Sequence, residues 1–274
     1  TSLKEGIKTG AENSNSYLPL LKDKRVGIVT NQAGIIRKIN VISRALPENT
    51  TLETTNESLV DFLIEQNINL QKIYAPEHGF RGTADAGELI VDGKDTKTNL
   101  PIISLYGNNK KPKLEQLEGI DILVFDLQDV GARFYTYVSS LHYVMEACAE
   151  NNIPLLVLDR PNPNGTIIDG PILEKEHKSF VGMHEIPVLH GMTIGEYAKM
   201  INGEKWLKNG VQCELTVIAC ENYSRQKEYT VNVPPSPNLP NMNAIYLYPS
   251  LCFFEGTPVS VGRGTDAPFQ QFGH

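Results

Sequence analysis

The sequence predicts an α/β protein built on a doubly wound, mostly parallel sheet with flanking helices over residues 1–171, followed by a smaller α+β subdomain over 172–274. Three observations predict it. Short runs rich in Val, Ile and Leu lack polar alternation, as strands buried on both faces do. Segments with apolar residues at three- and four-residue steps separate these runs, and such alternation argues a parallel sheet. Clusters of Asn, Asp, Arg and Gly follow the runs; in a parallel sheet all those ends lie on one side, where open α/β sheets bind ligands.

Taken in chain order, the expected strands are Arg25–Thr30, 70–75, 101–106, 121–125 and 154–158. Residues 58–66, apolar at Leu59, Phe62 and Leu63, and residues 113–118 carry helical spacing. The clearest helical face is formed by Phe134, Tyr137, Val138, Leu141, Val144, Met145 and Cys148. Residues 37–57 read as an irregular connection. Past Pro171 the texture changes. Thr193 and Glu196 form a capping box that opens a helix through about Trp206, and residues 213–219 alternate like a strand. The stretch 233–241, VPPSPNLPN, is too rich in proline for a helix or a central strand.

At 274 residues, 41% hydrophobic and 21% charged, the chain can bury a sizeable core and is far from disordered compositions. Lys+Arg 25 against Asp+Glu 32 gives a net charge of −7, and with no basic cluster this argues against a nucleic-acid partner. No apolar run reaches the ~20 residues of a membrane span. The start at Thr1, with no leader, reads as a processed or trimmed chain and leaves the compartment illegible from this end. Cys148, Cys213, Cys220 and Cys252 form no C-x-x-C pair and read as buried free thiols, with a disulfide left open. Neither cofactor nor metal is expected. A single glycine, not G-x-G-x-x-G or a phosphate loop, follows the first strand, and the six histidines make no zinc-type pair. There is no G-x-S-x-G for serine hydrolysis.

Carboxylate chemistry remains. Glu77 and Asp126 end two different strands, and glycoside cleavage needs two carboxyl groups flanking one bond: an acid for the leaving oxygen and a base or nucleophile. Helix caps and turns account for Asn31, Gly34 and the Asn164-Gly165 pair, but poorly for Glu77, His78 and Arg81, which are not turn formers. The residues alone leave a non-catalytic polar cleft equally open.

The motifs KRVGIVTNQAG (24–34), APEHGFRG (75–82), FDLQDVGARFYTY (125–137), DRPNP (159–163), PSPNLP (235–240), Glu255-Gly256-Thr257 and Gly262-Arg263-Gly264-Thr265 together resemble the exo-β-N-acetylmuramidase family, bacterial cell-wall hydrolases long filed as a domain of unknown function. The resemblance runs in order along nearly the whole chain. It implies a Rossmann-like domain joined to a smaller subdomain, an active site in the cleft between them, no cofactor, and release of terminal N-acetylmuramic acid from peptidoglycan fragments. It also implies a periplasmic or secreted protein. Relatives are expected to be tighter around 37–57 and to continue past His274. The rival readings are a carbohydrate- or cell-wall-binding module without turnover, and a hydrolase of another small acidic substrate.

Within this reading Glu77 is the expected catalytic acid and Asp126 its partner, with a helix-cap role for Asp126 as the alternative. Phe80 or Tyr106 walls would raise the Glu77 pKa and Arg81 would lower it. Arg133, Arg160 and Arg263 are candidates for the lactyl carboxylate of muramic acid, since guanidinium pairs with carboxylate bidentately. Asn31, Gln32, Asn162 and Asn238 are candidates for sugar hydroxyls or the acetamido group, as is Asn241; His78, Arg81, Gln128 and Asp129 complete the expected binding set. Tyr135 is expected to stack on a sugar face, whereas Tyr137 falls on the core stripe. Retaining, inverting and substrate-assisted routes all stay open, the last because the 2-acetamido group can attack its own anomeric carbon.

Overall fold

A computed structural model describes residues 6–43, 50–77, 80 and 93–274. In chain order the elements are α1 (Ser14–Leu21), β1 (Arg25–Thr30), β2 (Ile35–Ser43), β3 (Thr50–Ser58), α2 (Leu59–Glu65), β4 (Asn69–Ala75), β5 (Gly93–Lys94), β6 (Pro101–Ser104) and α3 (Leu114–Leu117). There follow β7 (Ile122–Asp126), α4 (Tyr137–Asn151), β8 (Leu155–Leu158), β9 (Ile168–Asp169), β10 (Leu189–His190), α5 (Ile194–Gly203), β11 (Leu215–Ile218) and α6 (Met242–Leu251).

The main sheet runs β11-β8-β7-β1-β4-β6-β5, parallel throughout except for the short edge pair β5·β6. Numbering its six parallel strands by sequence gives the 3-2-1-4-5-6 order of doubly wound sheets, whose chain reverses direction beside the first strand. All five expected strands are in it. Alternate residues point to opposite faces. On β7, Leu123 and Phe125 enter one core with α4, α5 and α6, while Ile122 and Val124 enter the other with α1 and α2. Residues such as Leu123 and Phe125, with no exposure, each contribute roughly 1.5–3 kcal/mol of apolar burial. At the centre of β1, a Cβ on Gly27 would lie 2.7 Å from Leu123 Cδ1 and 2.9 Å from the Tyr74 ring, so that position takes no side chain without displacing its neighbours.

Two expectations are corrected. The described residues within 37–57 are not irregular: β2 and β3 pair antiparallel from Ile35↔Ser58 to Ser43↔Thr50 as a separate two-stranded sheet. Nor does the described core break at residue 171. The strand expected at 213–219 is β11, which adds to the main sheet beside β8, and one core joins Val29 on β1 to Phe269 near the end of the chain. The helix expected from Phe134 begins at Tyr137, and the one expected to reach Trp206 ends at Gly203, its Thr193–Glu196 capping box formed. Among the described residues no helix is long and apolar enough to cross a membrane. All four cysteines are free thiols, Cys220 being the one that is not fully buried.

Candidate active site

Beyond the carboxyl ends of β4, β6 and β7 lies a cavity of about 340 Å³. Glu77, two residues past β4, stands at one wall with Tyr106, two residues past β6. The loop from β7 to α4 brings Phe134, Tyr135 and Thr136, and α4 opens with Tyr137. The proline-rich stretch supplies Ser236, Asn238 and Leu239; α6 and the 3₁₀ turn that follows it supply Tyr248 and Glu255; Arg263 and Phe269 close the wall.

Aromatic rings hold these segments together. Tyr135 meets Tyr137 edge-on at 4.8 Å and Tyr248 at 5.8 Å, and Tyr248 meets Phe269 at 5.0 Å. Edge-to-face pairs of this kind add about 0.5–1.5 kcal/mol each beyond their buried area. The loop that carries Tyr135 depends on Gly131: its φ is +77° and a Cβ there would sit 2.2 Å from Asn162 Oδ1.

Two carboxyl groups converge on the cavity. Burial raises the pKa of the Tyr106 hydroxyl, and the Glu77 charge raises it further. Glu255 is paired with Arg263 and its side chain is 27% exposed. Its pKa is raised by burial; Arg263 pulls it down and the nearby Glu77 charge pushes it further up. Burial also raises the Tyr137 phenol, to which Glu77 adds. The Tyr135 hydroxyl is buried in the cavity wall without a hydrogen-bond partner of normal geometry.

Of the expected site residues, Glu77, Tyr135, Asn238 and Arg263 line the cavity. His78 and Arg81 lie outside the described residues. Asp126 is corrected. It has no exposure and both its oxygens are taken by Arg160, at 2.6 Å from Nε and 2.9 Å from Nη2, so it is neither a cavity carboxylate nor a helix cap. Arg160 is thereby spent as well, and its Nη2 also donates to Ile35 O. Arg133 is buried, with Nη1 donating to the carbonyls of Pro171 and Ile186.

The amides are corrected on the same ground, because backbone carbonyls claim them. Proline carbonyls in the 233–241 loop have no neighbouring proline N–H to pair with. Asn31 Nδ2 donates to Tyr137 Oη at 2.7 Å, and Tyr137 donates on to Pro235 O at 3.1 Å. Gln32 Nε2 donates to Pro234 O and Pro235 O at 3.0 and 3.1 Å. These residues shape the wall rather than form it. Gln128 donates to Asp129 O and Pro161 O, and Asn162 to Met192 O. Asn241 accepts from Ala244 N as the N-cap of α6. Asp129 accepts from Gly131 N beneath the loop, and burial pushes its pKa up to about 7. Glu255 and Lys110 are cavity residues that strand-end reasoning passes over, whereas Tyr106 is found in the wall where it is expected; the Glu255-Gly256-Thr257 motif is the signal that marks the first. As for metals, one described trio brings its ligand atoms within 4.8 Å, Glu174, Glu176 and His177; it is exposed and does not line the cavity.

Residues 26–243 match the family model described as Exo-beta-N-acetylmuramidase NamZ, N-terminal, and residues 246–274 match its C-terminal counterpart. The chain belongs to this family. It is 43% identical, over its full length, to the peptidoglycan beta-N-acetylmuramidase NamZ of Bacillus subtilis strain 168, and spans 63% of that protein. Two crystal structures of DUF1343 family proteins from Bacteroides fragilis share the fold. One aligns with a TM-score of 0.84 at 48% identity, covering 98% of this chain and 67% of the other. The second gives 0.81 at 38% identity, covering 97% and 65%. The two NamZ models meet at the start of α6, so Glu77 belongs to the first and Glu255 and Arg263 to the second. The cavity draws on both.

Proposed function

We propose that this protein is an exo-β-N-acetylmuramidase, a glycoside hydrolase that releases N-acetylmuramic acid from the non-reducing end of peptidoglycan fragments. The observation that carries the reading is the convergence of Glu77 and Glu255 in one aromatic-walled cavity beyond the carboxyl edge of the sheet. Membership of the NamZ family supports it. In this reading Glu77 protonates the leaving oxygen, and Glu255, held by Arg263, is the second carboxyl group in the place first given to Asp126. It serves as base, nucleophile or anchor for the acetamido group. Rings of Tyr135, Tyr248 and Phe269 offer apolar faces to the sugar's C–H surface, and about 340 Å³ is at the small end of ligand sites, room for a terminal unit rather than a run of sugars. No group outside the protein and water is needed to balance the reaction.

Incubation with a chromogenic β-N-acetylmuramide tests this. Colour release is expected, and Glu77→Gln should lower turnover by roughly 10²–10⁴ with binding of the sugar retained, because proton donation is needed only in the transition state. Binding without release by the unaltered protein would make it a cell-wall-binding module instead. The reading also entails a periplasmic or secreted location, where such fragments are exposed; recovery of the protein solely in a cytoplasmic fraction would count against it.

A further inference from the structure

N-acetylmuramic acid differs from N-acetylglucosamine by a lactyl ether that carries a carboxylate, so an enzyme that prefers it needs a cation free to receive that charge. The three arginines with the right chemistry are engaged. Arg160 is bound bidentately to Asp126 in the interior, and Arg133 is buried against backbone carbonyls. Arg263 lines the cavity but is paired with Glu255. Drawing it away to a ligand would leave the Glu255 charge beside Glu77 without its counter-ion, which disfavours that exchange.

Lys110 remains. It lies in the loop after β6, lines the same cavity as Glu77, and makes no ion pair with any described carboxylate. Its ammonium sits 4.4 Å from the centroid of the Phe180 ring, which itself stacks on Tyr143 at 6.0 Å with 12° between the planes. A cation over an aromatic face is held in position while its three N–H donors stay available, since the ring consumes none of them strongly. Phe180 is also part of the cavity wall. A carboxylate that arrives there meets an ammonium already partly desolvated and oriented, which is how one point charge distinguishes an acidic sugar from its neutral parent.

We propose that Lys110, braced by Phe180, binds the lactyl carboxylate and sets the preference for muramic over glucosamine sugars. This rests on the muramidase reading above. The test compares Lys110→Met, Lys110→Arg and the unaltered protein on three chromogenic substrates: the β-N-acetylmuramide, the same compound with its lactyl carboxyl converted to the amide, and the β-N-acetylglucosaminide.

Lys110→Met should lower kcat/KM for the acidic substrate about 10- to 100-fold, mostly through KM, as expected for one charge-assisted contact. On the two neutral substrates it should match the unaltered protein, and Lys110→Arg should retain most of the preference. Equal losses on the acidic and amide substrates would overturn the proposal, because they would mean a general effect on the wall. So would an undiminished rate on the acidic one. An unaltered protein that neither cleaves nor binds the muramide removes the functional reading itself; cleavage that ignores Lys110 removes only this inference.

Discussion

Asp126 and Arg160 put two opposite charges side by side where neither meets solvent. Removing one partner leaves the other charged and buried, which costs about 3–5 kcal/mol. Asp126→Asn should therefore lose stability of that order in denaturant unfolding, while its folded fraction keeps its turnover. Glu255→Gln should do the opposite, lowering turnover by at least about 10²-fold with little change in unfolding midpoint. The same outcome for both would return Asp126 to the site. Deeper in the wall, Asp129 is held neutral by burial, with a folded pKa of about 7 against 3.8 ordinarily. The native state then binds that proton more tightly than the unfolded chain, and stability drains away as pH rises from about 4 to 7. His190, whose Nε2 lies 3.7 Å from Asp129, is lowered by burial to about 4 from 6.5, so its stability loss comes as pH falls across that interval. The two slopes oppose each other. Relative to the unaltered protein, Asp129→Asn should gain roughly 2–4 kcal/mol between pH 4.5 and 8, measured by chemical denaturation at each pH. A flat difference would mean Asp129 is ionised throughout.

Among the elements, α6 links stability to the site, because the 3₁₀ turn that bears Glu255 follows directly from its last residue. Its first turn is capped by Asn241 Oδ1, 3.0 Å from Ala244 N. Asn241→Ala should cost about 1 kcal/mol in thermal unfolding and, by loosening the turn, reduce turnover at temperatures well below the midpoint; unchanged turnover would uncouple the helix from Glu255. Strands β1, β4, β6, β7 and β8 were legible because burial on both faces forces unbroken Val, Ile and Leu runs, β11 from its alternation, and α5 from its capping box. The β2·β3 hairpin was not. Thr54, Thr55 and Asn56 are exposed, and a ribbon with polar residues like these lacks the apolar alternation by which half-buried strands are recognised. Site residues were harder still. A position past a strand end says which edge a residue occupies, not whether its side chain rises into the cavity like Glu77 or turns back to bond the interior like Asp126 and Asn31. Glu255 follows a helix, so no strand-end argument reaches it.

At the scale of the whole molecule, the question is whether the residues after 171 form a unit of their own. Their texture suggests so, but β11 is an edge strand of the sheet that β1 centres, and α5 packs on both β8 and β11. One face of the sheet is covered by α4, α5 and α6 in a single apolar cluster that reaches Phe269. Cutting the chain at 171 would strip β8 of a neighbour and remove α5 and α6 from that face, leaving α4 alone on a sheet that needs both faces covered. Unfolding should then be one cooperative event. The single tryptophan provides a local measurement, since Trp206 lies past 171 and is stacked on His184 at 4.6 Å. Circular dichroism senses the helices and strands of both halves. The two signals should trace one coincident denaturant transition, and a fragment of residues 1–171 should show no cooperative transition. A tryptophan transition that precedes the loss of ellipticity would instead establish two separately folding units, with the cavity between Glu77 and Glu255 as the seam along which they part.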